Sequence, residues 1–122
     1  MMKNPLQNQD ILSVEQFTPQ NLSFLFNLTD KMKKIVQEGQ PSRLLAGKIM
    51  TALFYEPSSR TFGSFGASVK QLGGQTVEIL DPEHFSSVAK GETLEDTIRV
   101  FEAYCDAIVI RHPVVGTAKK AS

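Results

Sequence analysis

The chain has 122 residues, 41% of them hydrophobic and 21% charged, which suits one globular core and excludes a membrane-spanning bundle or a disordered polyelectrolyte. Thirteen basic residues balance thirteen acidic ones, so no overall field points to nucleic acid or an anionic membrane, and any anion site has to be local. The single cysteine, Cys105, cannot form an internal disulfide, and no apolar run follows the N-terminal lysine; both features predict a cytoplasmic protein in a reducing compartment.

In chain order, "ILSVEQF" has too little pattern to assign, whereas "TPQNLSFLFNLTDKMKKIVQEG" predicts a helix. Thr18 suits the N-cap, Pro19 the first helical position and Gly39 the stop. Leu22, Leu25, Leu28, Met32, Ile35 and Val36 recur at helical spacing, so this helix is expected to cover a core with its lysines in solvent. "KIMTALFY" is a nearly continuous apolar run ending at Glu56-Pro57, as expected of a parallel strand buried on both faces. Residues 61–72 place Phe62, Phe65, Val69 and Leu72 on one helical face, closed by Gly73-Gly74, and "QTVEIL" follows as a second strand. "DPEHFSSVAKGE" reads as a long polar loop, residues 93–105 as a helix carrying Leu94, Ile98, Phe101 and Tyr104, and "AIVI" at 107–110 as a third strand. Strands alternating with helices predict an α/β fold with a parallel sheet and helices on both faces, in three layers.

In such a sheet ligands gather beyond the carboxyl ends of the strands. "EPSSRT", between the first strand and the next helix, brings Ser58, Ser59, Arg60 and Thr61 to that edge. A helix N-terminus offers free N–H groups, hydroxyls add donors that rotate to suit, and a guanidinium meets two oxygens of a phosphate or carboxylate at once. Spacing alone leaves open the plainer alternative that Ser58 or Ser59 caps the helix and Arg60 is solvated. Arg111 follows the third strand, and Lys90, flanked by Ser86, Ser87 and Gly91, lies in the loop after the second. Every strand end thus carries anion donors, and none carries a carboxylate placed as an obvious general base.

"FYEPSSRTFGSF", "SSVAKGETLEDT" and "AIVIRHP", in this order and at these separations, closely resemble the N-terminal half of aspartate carbamoyltransferases, over about residues 4–116. The resemblance implies that residues 1–122 are an incomplete N-terminal carbamoyl phosphate-binding domain without the aspartate-binding domain. It implies that Ser58, Ser59, Arg60 and Thr61 form the carbamoyl phosphate loop, Ser59 standing where the family usually has threonine. Arg111 then reaches the phosphate and carbonyl oxygens, and Ser86 and Lys90 enter the site of a neighbouring subunit. Phe62 stands where related carbamoyltransferases often carry arginine, which reads as a packing choice. The implied reaction is transfer of the carbamoyl group to L-aspartate without a metal, cofactor or covalent enzyme intermediate, with Arg60, Thr61 and Arg111 as the catalytic groups. A homotrimer is implied for the full-length chain, with regulatory or pyrimidine-pathway subunits as further partners, and neither nucleic acid nor membrane.

The family's later histidine-proline segment and its aspartate-binding residues have no counterpart here, so the chain alone is expected to be inactive. Two alternatives stay open: a stand-alone phosphate-binding or regulatory module, and a carbamoyltransferase with another acceptor such as ornithine. A serine hydrolase has no G-x-S-x-G elbow to support it, and nucleotide binding has no glycine-loop motif. Asp81, Glu83 and His84 read as a polar turn rather than a metal site.

Overall fold

A computed structural model describes residues 4–85 and 90–122, and the chain divides into two compact units, Met1–Gln40 and Pro41–Ser122. In the first unit a short 3-10 turn, Val14–Gln16, forms where the sequence showed no periodicity. It is held by a reciprocal cap: Ser13 Oγ accepts from the Glu15 N–H at 3.2 Å and Gln16 Oε1 accepts from the Ser13 N–H at 2.8 Å. Helix α1, Pro19–Glu38, begins and ends as expected, with Thr18 accepting from the Asn21 N–H and Gly39 stopping the helix in the left-handed region. Leu22, Leu25, Met32 and Ile35 are half-buried, but Leu28 and Val36 are exposed and no residue of α1 is buried. The expected core-covering stripe is therefore only half covered, because an apolar stripe is buried only where a partner surface runs along all of it.

The second unit is built on three parallel strands, β1 (Ile49–Phe54), β2 (Gln75–Leu80) and β3 (Ala107–Arg111), in the order β2-β1-β3. β1 is the central strand, and Thr51, Ala52, Leu53 and Phe54 are essentially inaccessible to solvent. Side chains alternate between its faces. Met50, Ala52 and Phe54 pack with Phe62 and Val69 of helix α2, Ser59–Gln71, and with Val109 of β3. On the opposite face Tyr55, just past β1, sits beside Thr97 of a later helix, α4 (Leu94–Glu102). Helices on opposite faces are what the right-handed crossover rule requires here, since the step from β1 to β2 and the step back across to β3 run in opposite directions along the sheet. The parallel α/β architecture with helices on both faces is thus present.

The helices differ in detail from the sequence expectation. α2 starts at Ser59, two residues before the expected Thr61, and Phe65 is exposed while Gly66 is the buried position, close against the Glu78 side chain. At the far end of α2, Gly73 has φ +86°, and a Cβ there would lie 2.3 Å from the Ser42 carbonyl oxygen, so only glycine fits this turn. The loop after β2 contains one helical turn, α3 (Pro82–Phe85). α4 ends at Glu102, short of Cys105, because the N–H groups of Tyr104 and Cys105 both donate to the Phe101 carbonyl and close the last turn tightly. Cys105 is half-buried. A further helix, α5 (Thr117–Ala121), lies in the segment "GTAKKAS" and is tied to α4 by Lys120 and Glu95 at 2.8 Å. No helix among the described residues is long and apolar enough to cross a membrane.

At the amino edge of the sheet Asp106 joins β1 to β3. Its Oδ1 is 2.6 Å from Lys48 Nζ, its Oδ2 accepts from the Ile49 N–H at 2.9 Å, and its own N–H donates to the Ile49 carbonyl. These donors, Lys48 first, hold the Asp106 carboxyl below the usual carboxylate range. A depressed folded-state value contributes stability that is complete above the unfolded pKa of about 3.9 and is lost as pH falls through the folded value. Asp106→Asn is therefore expected to lower the thermal midpoint at pH 7, with the gap to wild type closing below about pH 4. A gap that stays constant down to pH 2 would mean the charge of Asp106 contributes nothing.

Candidate functional site at the carboxyl edge of the sheet

Phe54, the last residue of β1, lies opposite both Leu80 of β2 and Arg111 of β3. Just beyond it the Tyr55 N–H donates to the Arg111 carbonyl and the Asp81 N–H donates to the Phe54 carbonyl, each at 2.8 Å. Three segments therefore leave the sheet at one level, which is where an open α/β sheet forms its ligand crevice.

Residues 58–61 stand at this edge. Ser58 is the N-cap of α2 with an extended φ of −159°, yet its hydroxyl makes no capping bond, while its carbonyl accepts from the Phe62 N–H at 2.9 Å. Ser59, Arg60 and Thr61 form the first helical turn, whose N–H groups have no intrahelical acceptor. At α1 and α4 the corresponding threonines, Thr18 and Thr93, do use their hydroxyls as caps. Among the described residues no side chain engages the hydroxyls of Ser58, Ser59 and Thr61 or the guanidinium of Arg60. The structure thus gathers these groups at one helix start with their donors uncommitted, and Ser58 does not take the capping role that spacing left open. Phe62 turns away from them, its ring edge-on to Phe54 with centroids 5.1 Å apart, so its place in the core accounts for an aromatic residue there.

Arg111 closes β3 at the same edge. Its Nη2 is 3.2 Å from Glu56 Oε2, both side chains being about two-fifths exposed, and its Nε is buried without a hydrogen-bond partner. A pair this open to solvent contributes little net stability, so the guanidinium is not tightly held. A carboxylate does stand at this edge, Glu56, two residues past the end of β1, but it is paired with Arg111 rather than placed as a general base. Asp81 is a second one, at the end of β2. Its Oδ1 is 2.6 Å from His84 Nδ1, and that hydrogen bond raises the His84 pKa above its ordinary value. Glu56 is paired with a guanidinium and Asp81 is hydrogen-bonded to the His84 ring, so neither stands free as a base.

His112 continues the segment. Its Nδ1 accepts from the Val114 N–H at 3.1 Å with the Thr117 hydroxyl 3.2 Å away, which assigns the ring proton to Nε2, and its ring lies 4.6 Å from that of Tyr55. A cavity of about 380 Å³ opens here, with Glu56, Arg111, His112 and Thr117 in its wall. Lys90 is exposed and followed by Gly91 at φ +95°. Ser86, expected to act with Lys90, lies outside the described residues.

Uncapped serine and capping threonine make opposite forecasts for stability. Ser58→Ala should leave the unfolding free energy within about 0.5 kcal/mol of wild type, whereas Thr93→Ala should cost about 1 kcal/mol through loss of its cap. Urea denaturation of both variants measures the difference, and equal losses would return Ser58 to a structural role.

A family model described as "Aspartate/ornithine carbamoyltransferase, carbamoyl-P binding domain" matches residues 9–122. The aspartate carbamoyltransferase catalytic subunit of Thermoplasma acidophilum is 47% identical over 117 residues, covering 96% of this chain and 38% of that protein. The chloroplastic aspartate carbamoyltransferase of Arabidopsis thaliana is 46% identical over 113 residues, covering 93% of this chain and 29% of that one. Aspartate transcarbamoylase from Trypanosoma cruzi, solved in complex with carbamoyl phosphate and aspartate, superposes with a TM-score of 0.90 at 42% identity, over 97% of this chain and 36% of its own. The chain thus spans well under half the length of these relatives. With the family model matched over nearly its whole length and the fold shared, the chain belongs to the aspartate/ornithine carbamoyltransferase family, in which it corresponds to the carbamoyl-P binding domain.

Proposed function

We propose that this chain supplies the carbamoyl phosphate site of an aspartate carbamoyltransferase, which transfers the carbamoyl group to L-aspartate to give N-carbamoyl-L-aspartate and phosphate in pyrimidine synthesis. The observation that carries the proposal is the uncommitted set of donors at residues 58–61 on the first turn of α2. The similarity to an enzyme solved with carbamoyl phosphate and aspartate supports the choice of ligands. The family model covers ornithine enzymes as well, but the relatives described above act in their names on aspartate, so ornithine is not favoured as acceptor.

In this reading the backbone N–H groups of α2 and the hydroxyls of Ser58, Ser59 and Thr61 bind the phosphate, and Arg60 neutralises it as it leaves. Thr61 and Arg111 hold the carbonyl oxygen. The aspartate amine attacks the carbamoyl carbon, a C–N bond forms, and the bond from that carbon to the phosphate oxygen breaks, the electron pair going to phosphate, which also carries away the proton the amine loses. Negative charge grows on the carbonyl oxygen and on the departing group, where fixed donors stabilise it without reorganising. Each hydrogen bond to such a charged group contributes about 1.5–3 kcal/mol. Arg111 has to exchange Glu56 for the substrate, which their solvent-exposed pairing makes inexpensive.

The same proposal assigns residues 1–122 to the N-terminal carbamoyl phosphate-binding part, inactive alone, and the aspartate-binding residues to sequence this chain does not contain. Ser86 and Lys90 would serve the site of a neighbouring subunit in a homotrimer, with regulatory or pyrimidine-pathway subunits as further partners. A cytoplasmic location is proposed with it, in keeping with the one unpaired cysteine.

Calorimetric titration of the chain with carbamoyl phosphate should show saturable binding that Arg60→Ala abolishes while the variant keeps its circular dichroism spectrum and melting midpoint. Binding retained by folded Arg60→Ala would sink the assignment. For the shared site, Lys90→Ala in the full-length protein should lose activity and regain part of it in mixed trimers with Arg60→Ala subunits; hybrids as inactive as their parents would show that each site is made by one chain.

A further inference from the structure

Exposed Lys90 is followed within a few residues by an anchored segment. Gly91 reverses the backbone at φ +95°, a conformation that side-chain-bearing residues rarely adopt, and Glu92 is half-buried. The Thr97 hydroxyl, in a residue 2% exposed, donates to Glu92 Oε1 at 2.6 Å, with the Thr93 carbonyl 3.0 Å away. Thr93 in turn caps α4, accepting from the Asp96 N–H at 3.2 Å and donating to Asp96 Oδ2 at 2.8 Å. Residues 92–97 are therefore pinned to the start of α4 by side-chain bonds, and Thr97 is the buried member of the set.

Thr97 also faces the sheet. The Tyr55 ring packs on His112, and its phenol oxygen is buried beside Thr97 without meeting hydrogen-bond geometry to any described group. Burial, with the Glu83 and Glu92 carboxylates nearby, pushes that phenol's pKa up, so it stays protonated. Tyr55 precedes Ser58 by three residues and donates its N–H to the Arg111 carbonyl. Thr97 thus stands between the segment bearing Lys90 and the strand ends bearing Ser58 and Arg111.

We propose that Thr97 is a positioning residue for Lys90: by holding Glu92 against the start of α4, its buried hydroxyl fixes the position from which the Lys90 ammonium is presented to the neighbouring subunit's site. A hydrogen bond from a buried hydroxyl to a carboxylate is directional, and among the described residues it is the side-chain tether nearest to Gly91 on its C-terminal side, followed by the Thr93 cap. Lys90 itself bears the charge; Thr97 acts through Glu92 and touches no substrate. The proposal rests on the reading of Lys90 as a carbamoyl phosphate ligand.

The test is carbamoyl phosphate affinity in the full-length protein for Thr97→Val, Thr97→Ser, Lys90→Ala and the Thr97→Val/Lys90→Ala double variant, with Glu92→Ala as a second way to break the bond should Thr97→Val misfold. Thr97→Val and Glu92→Ala should each weaken binding about tenfold, the scale of one charged hydrogen bond. Thr97→Ser, which keeps the hydroxyl, should stay within about twofold, and the double variant should bind no worse than Lys90→Ala alone. Amide exchange at Gly91, Glu92 and Thr93 should quicken in Thr97→Val with the β1 amides unchanged. Equal losses from Thr97→Val with and without Lys90 would overturn the proposal by showing that Thr97 acts through general stability, as would unchanged affinity in Thr97→Val. Unchanged affinity in Lys90→Ala would remove the ligand role of Lys90 and the proposal with it, while wild-type binding still reports separately on residues 58–61.

Discussion

The pairing of β1 on both edges is the constraint on which the rest of the second unit depends. Because β2 and β3 both run parallel to it and end level with Phe54, the segments that follow emerge on one edge of the sheet. A parallel pair cannot be closed by a tight turn and needs a crossover, so helices α2 and α4 are forced onto the faces and their N-termini onto that same edge. Burial of residues 51–54 fixes the register, since a slip of one residue would turn Leu53 and Phe54 to the wrong faces.

Charge is handled at this edge in two ways. The carboxylates are matched locally, Glu56 with Arg111 and Asp81 with His84. The donors at residues 58–61 are left open, and α2 begins without the hydroxyl cap that α1 and α4 possess. A helix start without its cap departs from local optimality, and departures of this kind concentrate where a protein has something to bind. A chain with no net charge can in this way keep uncommitted donors at one edge, with the carboxylates of Glu56 and Asp81 engaged beside them.

α4 links one face of the sheet to the segment that follows Lys90. One side of it packs Leu94, Ile98 and Phe101 as half-buried residues, while its first turn carries the Thr93 cap and the Thr97–Glu92 bond. The element that covers one face of the sheet is therefore also the one to which Glu92, two residues after Lys90, is bonded. Tyr55 closes the circuit, with its backbone on β3, its ring on His112 and its phenol beside Thr97.

The sequence by itself determined the three strands, their alternation with helices and the arrival of residues 58–61 and Arg111 at the carboxyl edge, because apolar runs of strand length and helical spacing are local signals tied directly to burial. It carried the family resemblance in three motifs for the same reason: backbone-near donors at a helix start need particular residue types at fixed spacing. The tertiary structure alone decided that Ser58 leaves its hydroxyl free, that Glu56 reaches Arg111 and that Phe65 faces out while Gly66 is buried. It alone decided that Thr97 is buried between Glu92 and Tyr55. Those facts depend on which side chains meet across segments far apart in sequence, and the 3.6 and 2.0 residue periods of helix and strand say which face a residue occupies but not what stands opposite it.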